Sequence, residues 1–141
     1  SLVGSEMCIR DRSNMNYFSL SEQNKNMLTC NSGAIGNSEK FFLTYLQGDV
    51  VAIKTQSGRY LSVKLNNQSI IAADSYTIGE NEQFILTVLN KNDNRITLRT
   101  LKNKYLSVEG ELNFLVLADK ESTGTNEIFR LFLLEDYQHK Q

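Results

Sequence analysis

The sequence has no proline, no tryptophan and a single histidine, His139, close to its end. Proline at ordinary usage of ~5 % would supply about seven residues. Its absence means that turns are built from residues that tolerate left-handed backbone or bond their own main chain, and asparagine, present 15 times, leads that group. One histidine rules out multi-histidine metal sites, and its place near the end argues against histidine-based acid–base catalysis. Only Cys8 and Cys30 are available for sulfur chemistry, so there is no disulfide framework. Two reduced thiols are expected, with Cys30 a small buried hydrophobe in the apolar run Met27–Cys30.

Charge of one sign is also missing. Fifteen Lys and Arg face sixteen Asp and Glu across 141 residues, a net charge of -1. That excludes a broadly basic nucleic-acid binder and a polybasic membrane anchor. No apolar run approaches the ~18 residues of a membrane-spanning helix, so no membrane insertion is expected. Apolar residues at 40 % suit one globular domain with a real core.

What the sequence does have is an internal ruler. Residues 50–84 align without a gap on residues 95–129, an offset of 45, with eleven of 35 positions identical. Tyr60-Leu61-Ser62-Val63 falls on Tyr105-Leu106-Ser107-Val108, and Gly79, Glu82 and Phe84 fall on Gly124, Glu127 and Phe129. An offset of 43 in the other direction places Tyr17, Ser19, Gly36, Glu39 and Phe41 on Tyr60, Ser62, Gly79, Glu82 and Phe84. The Tyr-to-Phe spacing is 24 in all three copies. The repeats run over about 13–49, 50–94 and 95–137.

Each copy reads as four short strands. Val51 and Ile53, like Ile96 and Leu98, alternate with Ala52, Lys54, Thr97 and Arg99, the period of a half-buried strand. A turn follows, with Gly58 or Asn103 at the position that suits positive φ. Tyr-Leu-Ser-Val returns. A third strand is expected over Ser69–Ala72 and Asn113–Ala118, and a fourth begins at Glu39, Glu82 and Glu127. About twelve strands in three copies predict an all-β chain, a β-trefoil: a six-stranded barrel capped by three hairpins. A propeller needs four or more blades.

On these residues the chain resembles the fascin-type β-trefoil family. The resemblance rests on Val51-Ala52-Ile53-Lys54, Gly58-Arg59-Tyr60-Leu61-Ser62, Asp74, Gly79, Glu82 and Phe84, and on their mates in the third copy. It covers about residues 16–134. It implies a non-catalytic, fascin-like module that binds or cross-links actin, with F-actin or another acidic protein surface as partner, no cofactor, and a cytoplasmic, cytoskeleton-associated place. Fascin-like trefoils also resemble accessory domains of secreted sugar-processing enzymes, which makes glycan the alternative ligand. Without tryptophan, the Gln-x-Trp signature of ricin-type lectins is absent. Residues 1–12 are similar to a translated sequencing adapter. A shift of 43 would place Arg10 on the inward position of Ile53, so this segment is expected to be non-native and poorly packed, leaving 13–141 as the domain and the chain as a candidate fragment of a multi-trefoil protein.

No catalytic residues are expected. The pairs Tyr17/Ser19, Tyr60/Ser62 and Tyr105/Ser107 repeat with the ruler and lack a base, which makes them structural, with the tyrosines packed on the hairpins and their hydroxyls bonded. Asp74, Asp119, Glu39, Glu82 and Glu127 also repeat, too far apart for paired-carboxylate chemistry, and are expected to cap loop N–H groups. Asp93, among Asn90, Asn92 and Asn94, reads as a turn and not a calcium loop. The candidate ligand- or partner-binding set is Lys54, Arg59, Arg99, Lys102 and Lys104, at equivalent strand and turn positions; the competing reading is a solvated strand surface. Tyr45, Tyr76 and Tyr137 depart from the repeat and are free to stack on a sugar ring.

Overall fold

The computed structural model describes residues 5–134. Twelve strands follow one another: β1 (Ser5–Asp11), β2 (Tyr17–Ser21), β3 (Met27–Ser32), β4 (Phe41–Gln47), β5 (Val50–Thr55), β6 (Tyr60–Lys64), β7 (Ile70–Ser75), β8 (Phe84–Asn90), β9 (Arg95–Thr100), β10 (Tyr105–Glu109), β11 (Leu115–Lys120) and β12 (Phe129–Leu133). The first and fourth strands of each repeat close a six-stranded barrel in the order β1-β12-β9-β8-β5-β4, with β4 returning to β1. The second and third strands form the hairpins β2–β3, β6–β7 and β10–β11. These close on each other cyclically: Met27 pairs with Ala72, Ile70 with Leu117 and Leu115 with Thr29. The fold is the expected β-trefoil.

The core follows from the alternation. Phe41, Phe84 and Phe129, one per repeat, are fully buried, as are Ile53, Leu98 and Ile9 at the centre of the barrel strands. Phe18, where the other repeats carry Leu61 and Leu106, meets Phe129 edge-to-face at 4.9 Å. Cys8 and Cys30 are both free and buried in this core.

The expected poor packing of the N-terminal segment is corrected in its described part. Residues Met7, Cys8 and Ile9 are buried, and β1 pairs with β12 from Met7↔Leu133 to Asp11↔Phe129. The reason is register. Five residues, 12–16, join β1 to β2, where four join β5 to β6 and β9 to β10. The offset on this strand is therefore 44, and Met7-Cys8-Ile9-Arg10-Asp11 matches Val51-Ala52-Ile53-Lys54-Thr55. Arg10 points outward, its guanidinium carbon 5.5 Å from the centroid of the Tyr17 ring. Met15, at φ 65°, accommodates the extra residue.

Two strand starts are also corrected. Ser69 (φ 59°) and Asn113 with Phe114 (φ 56° and 62°) are left-handed turn residues before β7 and β11, equivalent to Lys25 and Asn26 before β3. Glu39, Glu82 and Glu127 end single 3-10 turns before the fourth strands. Each carboxylate accepts the N–H of the glycine three residues earlier, at 2.7, 2.7 and 2.6 Å, and the hydroxyl of Ser19, Ser62 or Ser107 at 2.5 Å. Charge-assisted bonds of this kind satisfy buried carboxylates that would otherwise be costly. The glutamates are thus the loop caps. Asp74 instead pairs with Lys64 at 2.7 Å.

Candidate functional site

The repeats meet at junctions built from equivalent residues, so the second junction serves as a control for the first. At the first junction, Leu20 of β2, Glu22 of the 3-10 turn that follows it, Asn26, and Asn37 and Ser38 from the 3-10 turn before β4 face Thr55 at the end of β5 and Gln56, Ser57 and Arg59 of the β5–β6 turn. They enclose a cleft of about 490 Å³. At the second junction the counterparts of seven of these, Val63, Leu65, Glu80, Asn81, Thr100, Leu101 and Lys102, line a space of only about 10 Å³. The difference is side-chain volume and polarity. Leu65 stands where Glu22 does, and Leu101 and Lys102 stand where Gln56 and Ser57 do. A space of ~300–1,000 Å³ suits a small ligand, whereas ~10–15 Å³ holds about one water.

The β5–β6 turn is fixed by backbone chemistry. Gly58 sits at φ 89°, and the Thr55 hydroxyl donates to the Arg59 carbonyl at 2.9 Å. Gln56 donates its side-chain N–H to Glu6 Oε2 at 3.2 Å. Arg59 Nε donates to the Tyr76 hydroxyl at 3.0 Å, and its guanidinium carbon lies 5.3 Å from that ring's centroid. Tyr76 itself is 69 % exposed. Among the exposed large hydrophobic side chains of the described residues it is the most exposed, and its ring offers an amphipathic face to a ligand.

The basic set named from the sequence is spread over separate places. Arg59 lines the first-junction cleft, and Lys102 the nearly filled second one. Lys54 lies opposite Tyr60 across β5–β6, and Arg99 stacks on Tyr105 at 5.7 Å. Lys104 pairs with Glu121 at 2.8 Å. Tyr17 and Tyr105 thus meet their repeat's cation ring-on, and the hydroxyl bonds expected of these tyrosines are not among the described contacts. Tyr45 is half-buried against the core, and burial with the neighbouring Asp49 charge pushes its hydroxyl above the usual phenol range. Tyr137 lies outside the described residues. Asp93 is held by Arg95 at 2.8 Å in the β8–β9 turn. The polar wall of Glu22, Asn37 and Ser38 was not singled out from the sequence. Its signal is a set of departures from the repeat at positions that meet only once the junction is closed.

A second cleft of about 410 Å³ lies between the first two hairpins, lined by Lys25, Lys64, Leu65, Asn67, Asp74 and others. Lys64 and Asp74, two of its three charged groups, are joined in an ion pair, which leaves Lys25 as the third. Among the described residues no cluster of three or more His, Cys, Asp or Glu is placed to hold a metal ion, and no helix is long and apolar enough to cross a membrane.

A family model described as FRG1-like domain matches residues 41–132. The chain belongs to the FRG1-like domain family. The FRG1-like span begins with β4 and ends in β12, so it contains Gln56, Ser57, Arg59 and Tyr76 but not the first-repeat wall of the cleft. No curated protein sequence matches this one. Among solved structures, the chain is similar to SeviL bound to asialo-GM1 saccharide, at 15 % identity and TM-score 0.72, covering 93 % of this chain and 98 % of that one. It is similar to the Polyporus squamosus lectin bound to the epitope Neu5Aca2-6Galb1-4GlcNAc, at 14 % identity and TM-score 0.76, covering 92 % and 49 %. It is also similar to 1,3Gal43A, an exo-beta-1,3-galactanase from Clostridium thermocellum, at 18 % identity and TM-score 0.75, covering 92 % and 30 %. At these identities the likeness establishes the trefoil fold.

These findings correct the fascin-type resemblance, and with it F-actin and another acidic protein surface as partner. The physical reason lies in the residues that carried it. Val51, Ala52 and Ile53 are buried barrel positions, Gly58 makes a turn, and Ser62, Gly79 and Glu82 make a cap. They serve barrel closure, turn geometry and capping, and so report the fold and not the ligand.

Proposed function

We propose that this FRG1-like chain is a non-catalytic glycan-binding module whose ligand enters the first-junction cleft. One observation carries the reading: the cleft is open and lined with amide, hydroxyl, carboxylate and guanidinium groups at the first junction, and shrinks to about 10 Å³ at its pseudo-symmetric mate, where Leu65, Leu101 and Lys102 replace Glu22, Gln56 and Ser57. Hydroxyl-rich sugars are recognised by such convergent polar groups together with an aromatic face, which the exposed Tyr76 supplies beside Arg59. The names of the similar structures, two with bound saccharides and one a galactanase, support the same ligand class.

The test uses the internal control. Glycan-array binding followed by calorimetry is expected to find a saccharide ligand. Gln56→Leu with Ser57→Lys, which copies the second junction into the first, is expected to weaken that ligand at least about tenfold, the equivalent of ~1.4 kcal/mol. Leu101→Gln with Lys102→Ser is expected to leave it unchanged. A folded protein that binds no glycan, or binds equally well after the Gln56 and Ser57 changes, overturns the reading.

A further inference from the structure

The charge at the cleft mouth narrows the ligand class, on the premise that the cleft takes a glycan. The position of Arg59 is held in the three repeats by Asn16, Arg59 and Lys104, and the position of Tyr76 by Gly33, Tyr76 and Glu121. In the third repeat the cation is cancelled, because Lys104 Nζ lies 2.8 Å from Glu121 Oε1. In the second repeat an aromatic replaces the acid. The Tyr76 hydroxyl accepts the Arg59 Nε–H at 3.0 Å without neutralising the guanidinium. The terminal N–H groups of Arg59 make no hydrogen bond among the described residues. They form the planar fork that matches a carboxylate with two parallel bonds. The guanidinium carbon lies 5.3 Å from the Tyr76 centroid, so the ring stands beside Arg59 and outside the cleft lining itself, and at 69 % exposure it keeps a wide surface for a ligand that extends past Arg59. Two acids stand nearby, Glu22 on the opposite wall and Glu6 on the Gln56 amide. They restrict the attraction to the Arg59 side and suit sugar hydroxyls, which donate to carboxylates.

We propose that the cleft selects a sugar that carries a carboxylate, a uronic-acid or sialic-acid type residue, with the carboxylate on the Arg59 fork and the ring against Tyr76. The fork and the ring together make a two-point site that neither other repeat offers.

The test compares matched pairs of oligosaccharides: one ending in the acid sugar, the other with that carboxylate reduced to an alcohol. Wild-type protein is expected to bind the acid on the order of tenfold more tightly than the alcohol. Arg59→Gln is expected to bring the ratio close to one, Arg59→Lys to keep part of it, and Tyr76→Ala to weaken both members of the pair. Equal binding of acid and alcohol by the wild type overturns the proposal, as does an Arg59→Gln protein that keeps the preference. If neutral glycans bind and respond to the Gln56 and Ser57 changes while no acid preference appears, the glycan reading stands and this inference falls. If the folded protein binds no glycan of either kind, both fall.

Discussion

Asp11 occupies a position that the other repeats give to threonine. Thr55 and Thr100 use their hydroxyls in the turn: Thr55 donates to the Arg59 carbonyl, and Thr100 accepts the Lys104 N–H. An ionised aspartate has no proton to donate. Asp11 is 1 % exposed; its Oδ2 receives a bond from the Asn14 N–H at 3.3 Å and its Oδ1 has no partner. Burial pushes its pKa above the usual carboxylate value, against the bonds from the backbone of Asn14, Ser13 and Arg12, and the Glu127 charge adds to the rise. For a carboxyl raised on folding, the favourable contribution is full below the unfolded value of ~3.9 and is lost as pH rises through the folded value. Acidification from neutral toward that range therefore stabilises the fold through this residue. Asp11→Thr is expected to stabilise the protein at pH 7 by about 1–3 kcal/mol. Urea unfolding at several pH values checks both parts: the variant should gain at pH 7 and gain less as the pH is lowered. A variant less stable than wild type at pH 7 would show that the carboxylate is better accommodated than its contacts indicate.

The β5–β6 and β9–β10 turns are the elements most readable in advance. Gly58 and Asn103 were placed at positive φ from their turn position alone, and they sit at 89° and 65°. The first angle lies beyond the usual left-handed region, so Gly58→Ala is expected to destabilise by about 1–2 kcal/mol and Gly58→Asn by less, measured as shifts in urea midpoint. The strands were readable for the same reason: a period of two and a threefold repetition are local signals. The β1–β2 connection was not. Its fifth residue changes the offset from 43 to 44, and only the pairing of β1 with β12 reveals that Arg10 faces outward. The left-handed pairs before β3, β7 and β11 were hidden too, because Lys25, Gln68 and Phe114 carry no sequence mark of a residue with φ near 60°.

At the scale of the whole molecule, the candidate site is a property of a junction and of no single repeat. Arg59 is recognisable as a candidate because it closes a hairpin turn at the position of Lys104, within a set of basic residues at equivalent places. Glu22, Asn37, Ser38 and Gln56 were not, since each is an ordinary polar residue until the barrel closes and sets them around one space. Lys54 is the counterpart of Arg99 one repeat earlier: it lies opposite Tyr60, whereas Arg99 and Lys104 share the β9–β10 hairpin beside Tyr105, so the threefold arrangement parts the first from the other two. The same closure governs the thiols. Burial pushes Cys8 to about 11 and Cys30 to about 12, against a weaker lowering by the Arg10 charge at Cys8. A chromogenic thiol reagent at pH 8 is expected to find neither cysteine in the native protein and both in urea. Rapid reaction of one in the native state would place it on a surface that the core packing denies.

The seam between β1 and β12 joins residue 7 to residue 133, and the three hairpins lean on each other in a ring in which each supplies one edge to the next. Neither arrangement has a partial version. A chain holding two of the three units leaves an open barrel and a broken ring, with strand edges bare to any neighbour. Most of the reward for folding therefore arrives only after the most distant contacts have formed, which is the pattern of slow, all-or-none folding. The threefold architecture that looks modular along the sequence is, as a thermodynamic object, indivisible.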